Sequence, residues 1–166
     1  MNLIELFLQE IESESVITRR IFERLPDEKF DWKPHEKNMT LQRLAAHVAE
    51  LPGWVTMAII SSELDFAKGD YKPELPANKK ELMDYYERML SSGIKTLKNA
   101  KEEQLNGDWT MRNGDQVFFT ISKGQLIRTS ISQTIHHRAQ LGVYLRLLNI
   151  PVPGSYGPSA DETNFF

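Results

Sequence analysis

Four long amphipathic segments constrain the fold of this chain more than any other feature. Each repeats apolar side chains every three or four positions over about 20 residues or more, the pattern of a helix that buries one face. They cover residues 2–24, 40–59, 78–104 and 122–149. Thr40 and Asn78 are N-cap candidates, and prolines follow the first and fourth segments. Four such helices predict an all-α fold, a four-helix bundle.

A different pattern precedes the fourth segment. Residues 108–120 hold Asn113-Gly114 between strand-forming residues. Asn-Gly favours the type I′ turn of a tight hairpin, so we expect a small β-hairpin here. Pro52 falls inside the second segment and predicts a kink in that helix.

Length and cysteine count limit the chemistry. The 166 residues predict one domain, residues 1–166, with a core that needs no cross-link. No cysteine is present, which excludes thiol nucleophiles, disulfides and cysteine-based metal sites. A metal site must therefore use His, Asp, Glu or amide oxygens, and the chain has only 4 His.

Charge and hydropathy exclude two classes of partner. Lys and Arg number 20 against 23 Asp and Glu, a net charge of -3, whereas nucleic-acid-binding surfaces are usually basic. No apolar run reaches the roughly 18 residues needed to span a membrane. The N-terminus carries acidic residues within its apolar stretch and lacks a signal-peptide pattern, which favours a cytoplasmic location. We expect no nucleic acid and no membrane partner.

His47 lies on the apolar face of the second predicted helix. Leu44, Leu51 and Trp54 share this face at helical spacing. A histidine in this setting is either a hydrogen-bonded core residue or a ligand that faces another helix.

The fourth helix carries His136 and His137. Adjacent helical residues point about 100° apart, so both cannot face one ligand. Gln133 lies four residues before His137 and shares its face, while Gln133 and His136 form a second possible pair. The Gln133–His137 face continues to residues that we expect to point inward: Gln140, Leu141 and Tyr144. His137 is therefore the better partner for His47, because bundle metal sites use imidazoles from facing helices.

Three motifs resemble one family. LQRLAAHVAE at 41–50 resembles the histidine-bearing second helix of the DinB/YfiT superfamily. HHRAQL at 136–141 is similar to its fourth-helix motif, HHRGQ, with alanine in place of glycine. PGSYGPSADE at 153–162 resembles its common ending. The resemblance covers nearly the whole chain in helix order, helix length and motif position.

The resemblance implies a DinB-like bundle, often a homodimer, that holds a divalent metal by three histidines between helices. Two ligands carry over to His47 and His137, and the third position, four residues before His137, is Gln133. An amide oxygen is a weaker donor than imidazole toward zinc or nickel, the metals expected here. The site is therefore weakened, retuned, completed by water, or lost.

Three further residues are candidates for a substrate pocket. Trp54 either walls a pocket or belongs to the core. Arg138 either holds a carboxylate or phosphate of a ligand or pairs with an acidic helix residue. Tyr144 lies beyond the ligands and is a candidate hydrogen-bond donor to substrate. His35 falls in a loop, where a solvated histidine is the simpler interpretation.

Two functions remain open at this stage. The resemblance implies a metal-dependent hydrolase or low-molecular-weight-thiol transferase that acts on a small molecule. The alternative is a non-enzymatic, stress-associated binding protein with a degenerate metal site. An iron-carboxylate bundle is disfavoured because its Glu-x-x-His pairs are missing.

Overall fold

The computed structural model describes residues 2–69 and 71–163 and confirms the predicted bundle. Its helices are α1 (Leu3–Glu23), α2 (Leu41–Ile60), α3 (Lys79–Lys98) and α4 (Lys123–Leu147). Short 3₁₀ turns occur at Asp27–Lys29, Phe66–Lys68 and Glu102–Asn106. No helix in the described ranges is long and apolar enough to cross a membrane.

Helix starts follow the local chemistry of capping. The side chains of Asn2, Thr40, Asn78 and Ser122 each accept a hydrogen bond from the backbone N–H three residues later. These bonds satisfy donors that have no partner within the helix. Thr40 and Asn78 are therefore confirmed as N-caps.

Helices α2 and α4 pack antiparallel to each other. The Lys123 ammonium donates to the Ile59 carbonyl at 3.0 Å, near the start of α4 and the end of α2. The Ser130 hydroxyl donates to the Leu51 carbonyl at 2.6 Å, further along α4 and earlier along α2. This pairing brings the first half of α2 against the second half of α4.

The predicted hairpin is present, but its details differ. Strands β2 (Asp108–Asn113) and β3 (Gln116–Ser122) are antiparallel, and a third strand that the sequence did not reveal, β1 (Glu63–Asp65), pairs parallel to β2. The turn consists of Gly114 and Asp115, because Asn113 pairs with Gln116. A type I′ turn needs positive φ at both central residues, and only Gly114 has it (59°), so the hairpin is confirmed but its turn is not type I′.

Helix α3 ends earlier than predicted, at Lys98 and not at residue 104. The Asn99 side chain donates to the Lys95 carbonyl at 2.7 Å and so satisfies a carbonyl at the end of the helix. The following 3₁₀ turn places Leu105 in the core, 3% exposed. The apolar period of the sequence continues through this turn, which explains the overestimate.

The core lies between all four helices and the inner side of the sheet. Its fully buried members include Phe22, Leu44, Tyr86, Trp109, Ile127 and Leu141. Helices α2 and α3 approach each other closely at Gly93, where an added Cβ would meet the Pro52 carbonyl oxygen at 2.5 Å. This part of the interface therefore has no room for a side chain at position 93.

Candidate functional site

Two histidines meet between α2 and α4. The ring centroids of His47 and His137 are 4.7 Å apart, with the planes at 72° to each other. The antiparallel packing of the two helices places them at the same level. The approach that the two sequence motifs imply is thus present.

Each imidazole is held through its Nδ1 atom by a residue three positions further along its own helix. His47 Nδ1 lies 2.5 Å from Glu50 Oε1, and His137 Nδ1 lies 3.1 Å from Gln140 Oε1. Both oxygens accept, so the Nδ1 atoms carry the protons. A neutral imidazole has one N–H, which leaves both Nε2 atoms as lone-pair donors toward a metal or an acid.

Glu50 is the buried anchor of this arrangement. Its side chain is 4% exposed, and its Oε1 also accepts from the Tyr71 hydroxyl at 2.7 Å. Burial, followed by the hydrogen bond to Glu50, raises the pKa of Tyr71 well above its usual range, so the phenol remains a donor. Sequence reasoning missed both residues, although the spacing of three between His47 and Glu50 was a usable signal.

His136 and His137 are coupled through one amide. Gln140 Nε2 lies 3.1 Å from His136 Nε2, and the two imidazole centroids are 4.8 Å apart. Burial lowers the pKa of His137, the Gln140 hydrogen bond opposes this, and the nearby His47 and His136 lower it further. His137 is therefore held in the neutral form that binds metals.

The Gln133 side chain lies at the surface of α4, beside His137. Its side chain is exposed, because the buried stripe of α4 passes through Ser130, Thr134 and Arg138 instead. Gln133 lines an open depression of about 440 Å³ on the surface of α4, together with Arg128, Thr129, Ser132, His136 and His137. The depression reaches the histidine pair at His137.

The donor set supplies two of the ligands that a divalent metal needs. No group of three His, Cys, Asp or Glu side chains suited to a metal occurs among residues 2–69 and 71–163. Two neutral imidazoles with free Nε2 atoms suit zinc or nickel. A third ligand would have to be the Gln133 amide oxygen, water or a substrate atom.

The three candidates for the substrate pocket each contact a different residue of the fold. Arg138 is 4% exposed and pairs with Glu14 at 2.5 Å, which confirms the ion-pair alternative. The Tyr144 hydroxyl donates to the Met39 carbonyl at 3.0 Å. Trp54 is half-buried and packs edge-on to Tyr71, with centroids 6.3 Å apart.

The remaining histidine, His35, lies exposed in the loop before α2. Its Nδ1 accepts from the Lys37 backbone N–H at 3.2 Å, an interaction within the loop. It does not join the other three histidines.

The fold and the site define a class of protein, an antiparallel helix bundle with a histidine pair between α2 and α4. Comparison with known proteins identifies the family. The chain belongs to the DinB family, whose model matches residues 1–164. Protein YrdA of Bacillus subtilis is 26% identical over 156 residues, 94% of this chain and 89% of YrdA.

Solved structures share the fold. A DinB-like protein from Bacillus cereus superposes with a TM-score of 0.70 at 22% identity, over 92% of this chain and 97% of that one. A mycothiol-dependent maleylpyruvate isomerase superposes with a TM-score of 0.61 at 13% identity, over 86% of this chain and 63% of the isomerase. At these identities the likeness establishes the fold.

Proposed function

We propose that this DinB-family protein binds a divalent metal, zinc or nickel, through the Nε2 atoms of His47 and His137. In that state it is a small-molecule enzyme, either a hydrolase or a low-molecular-weight-thiol transferase. The observation that carries the proposal is the arrangement of two adjacent imidazoles whose Nδ1 atoms are both occupied by hydrogen bonds. A histidine that is only a core residue needs a hydrogen-bond partner, but it does not need a second histidine packed against it.

The two reaction classes share one requirement, an activated nucleophile. When bound, the metal would lower the pKa of a water or thiol at an open coordination position. A role for a low-molecular-weight thiol is supported by the structural neighbour that is a mycothiol-dependent maleylpyruvate isomerase.

The protein's own groups orient and tune the ligands. The Glu50 carboxylate accepts from His47 Nδ1–H and makes that imidazole a stronger donor at Nε2. Gln140 fixes the His137 ring in the same way without adding a charge. The exposed Gln133 amide can offer its oxygen as a weak ligand, or its N–H to a water or substrate atom.

The competing proposal is a non-enzymatic, stress-associated binding protein. The exposed position of Gln133 supports it, because an amide directed to solvent is not organised as a ligand. Under this proposal the histidine pair is a remnant, and the protein has no affinity for metal.

The metal content of untagged protein tests the proposal. We expect the wild type to take up one zinc or nickel ion per chain, and His47→Ala to lose it. His35→Ala is the matched control, because His35 is exposed and its hydrogen bond lies within its own loop. A wild type that stays metal-free at excess metal, with binding restored only by Gln133→His, would instead support the non-enzymatic protein.

Activity is tested on the metal-loaded protein. Consumption of a low-molecular-weight thiol with an electrophile that stops on chelation supports a transferase. Chelator-sensitive hydrolysis of an activated ester without thiol supports a hydrolase. Metal uptake with neither reaction would overturn the enzymatic part of the proposal.

A further inference from the structure

Arg128 differs from most arginines of this chain. Seven of the nine lie within 4.0 Å of a carboxylate in the described residues, namely Arg19, Arg20, Arg24, Arg88, Arg112, Arg138 and Arg146. Arg128 has no ion pair or hydrogen bond with the part of the chain that the structure describes. Its helical neighbours explain this, because positions 124, 125, 131 and 132 are Gly, Gln, Ile and Ser.

The exposed guanidinium of Arg128 borders the histidine site. Arg128, Ser132 and His136 follow one another at intervals of four along α4 and line the depression described above. Every residue that lines it is polar, and none is a carboxylate. In a chain of net charge -3, this surface carries a positive charge that no acidic side chain neutralises.

Hydroxyl groups accompany this charge. The Thr129 and Ser132 side chains line the same depression and make no side-chain hydrogen bond to residues 2–69 or 71–163. One guanidinium and two free hydroxyls form a donor-rich surface with one positive charge. That inventory matches a monoanionic carboxylate, which arginine binds through two parallel hydrogen bonds.

We propose that Arg128, with Thr129 and Ser132, binds a carboxylate group of the small-molecule substrate. The proposal rests on the proposed function, since it assumes that the reacting end of the substrate lies at His47 and His137. Arg128 precedes His137 by nine residues, a rise of about 13 Å along the helix. The substrate is therefore an elongated molecule with its carboxylate several atoms from the reacting group.

A matched pair of thiols tests this in the cobalt-substituted protein. The thiolates of 6-mercaptohexanoate and 6-mercaptohexanol both bind the metal, and the thiolate-to-cobalt absorption gives each Kd. We expect wild type to bind the acid about tenfold more tightly than the alcohol. Arg128→Met should abolish this preference and leave the Kd of the alcohol unchanged.

The control for a general loss of charge is Arg88→Met. Arg88 is an exposed arginine of α3 that pairs with Glu74 and does not line the depression. This variant should keep the tenfold preference. Equal preference for the acid in wild type and Arg128→Met would overturn the proposal.

Metal-free protein gives a second measurement, which separates this proposal from the metal site. Hexanoate should shift the Arg128 Nε–H resonance in NMR spectra, whereas hexan-1-ol should not. A shift in a protein that fails to load cobalt would overturn the proposed function and support the carboxylate site. No shift with hexanoate, or tighter binding of methyl phosphate than of hexanoate, would overturn the carboxylate assignment.

Discussion

Arg138 Nη2 lies 2.5 Å from Glu14 Oε2, with the two side chains only 4% and 8% exposed. The Tyr156 hydroxyl donates to both Glu14 carboxylate oxygens at 2.8 Å, and Arg138 Nη1 donates to the Glu14 carbonyl at 3.0 Å. These bonds join α1, α4 and the C-terminal segment. The Arg138 guanidinium is therefore held by contacts within the fold.

Removal of one partner should destabilise the fold. Arg138→Met leaves the buried Glu14 carboxylate uncompensated, which costs about 3–5 kcal/mol of the free energy of unfolding. Tyr156→Phe removes the hydroxyl that donates to Glu14 and accepts from Arg138, and should cost at least about 1.5–3 kcal/mol. Urea denaturation measures both.

The double variant Glu14→Leu with Arg138→Met distinguishes a structural ion pair from a ligand site. It should recover most of the stability that Arg138→Met loses, because no buried charge remains. If Arg138→Met keeps wild-type stability and instead weakens substrate binding, the structural role is wrong and the substrate-pocket interpretation of Arg138 stands.

Local sequence patterns were sufficient to predict the bundle but not every contact at the site. The four helices follow from the apolar period and from caps such as Thr40, which depend only on nearby residues. Strand β1 could not be predicted, because its three residues are defined by pairing with Thr110–Arg112 more than 40 residues away. The hydrogen bond to Glu50 likewise depends on Tyr71, which lies in a loop outside α2.

The position of Gln133 shows the limit of arguments from spacing. It shares a helix face with His137 by sequence, yet His137 is half-buried and Gln133 is exposed. The buried stripe of α4 is narrow and includes Thr134 but not the adjacent Gln133. Packing against the neighbouring helices determines which of the two positions is buried. The spacing of four residues in the sequence cannot predict which position is buried.

Gly93→Ala should destabilise the protein because its new Cβ would lie 2.5 Å from the Pro52 carbonyl oxygen. This atom belongs to the backbone of α2 and cannot move alone, so we expect a loss of about 1–3 kcal/mol. Thermal and urea unfolding measure the change.

Gly53→Ala is the matched control at the same helix pair. Its Cβ would meet Met89 Sδ at 2.7 Å, the end of a flexible side chain that can turn away. The gain in helix propensity, about 1 kcal/mol, offsets the remaining crowding. Equal losses in the two variants would contradict the rigid contact at Pro52.

Glu50→Gln should weaken metal binding by about 10- to 100-fold while His47 itself remains in place. The amide is uncharged, so it makes the His47 imidazole a poorer donor at Nε2. Isothermal titration with zinc measures the affinity, and Glu36→Gln, in an exposed loop, is the control. Unchanged affinity in Glu50→Gln would show that the carboxylate does not act through His47.

Alkaline pH should destabilise the protein through Tyr86. Burial raises the pKa of this phenol to about 12, whereas in the unfolded chain it ionises near 10. Above pH 10 the unfolded state has lost a proton that the folded state keeps, so Tyr86 by itself lowers the free energy of unfolding by up to about 1.4 kcal/mol for each unit of rising pH. Urea denaturation at pH 8, 10 and 11 measures this slope.

Tyr86→Phe should make the slope shallower, although Tyr71 and Tyr85, whose pKa values are also raised, continue to contribute. An identical slope in wild type and Tyr86→Phe would mean that Tyr86 ionises in the folded protein as readily as in the unfolded chain.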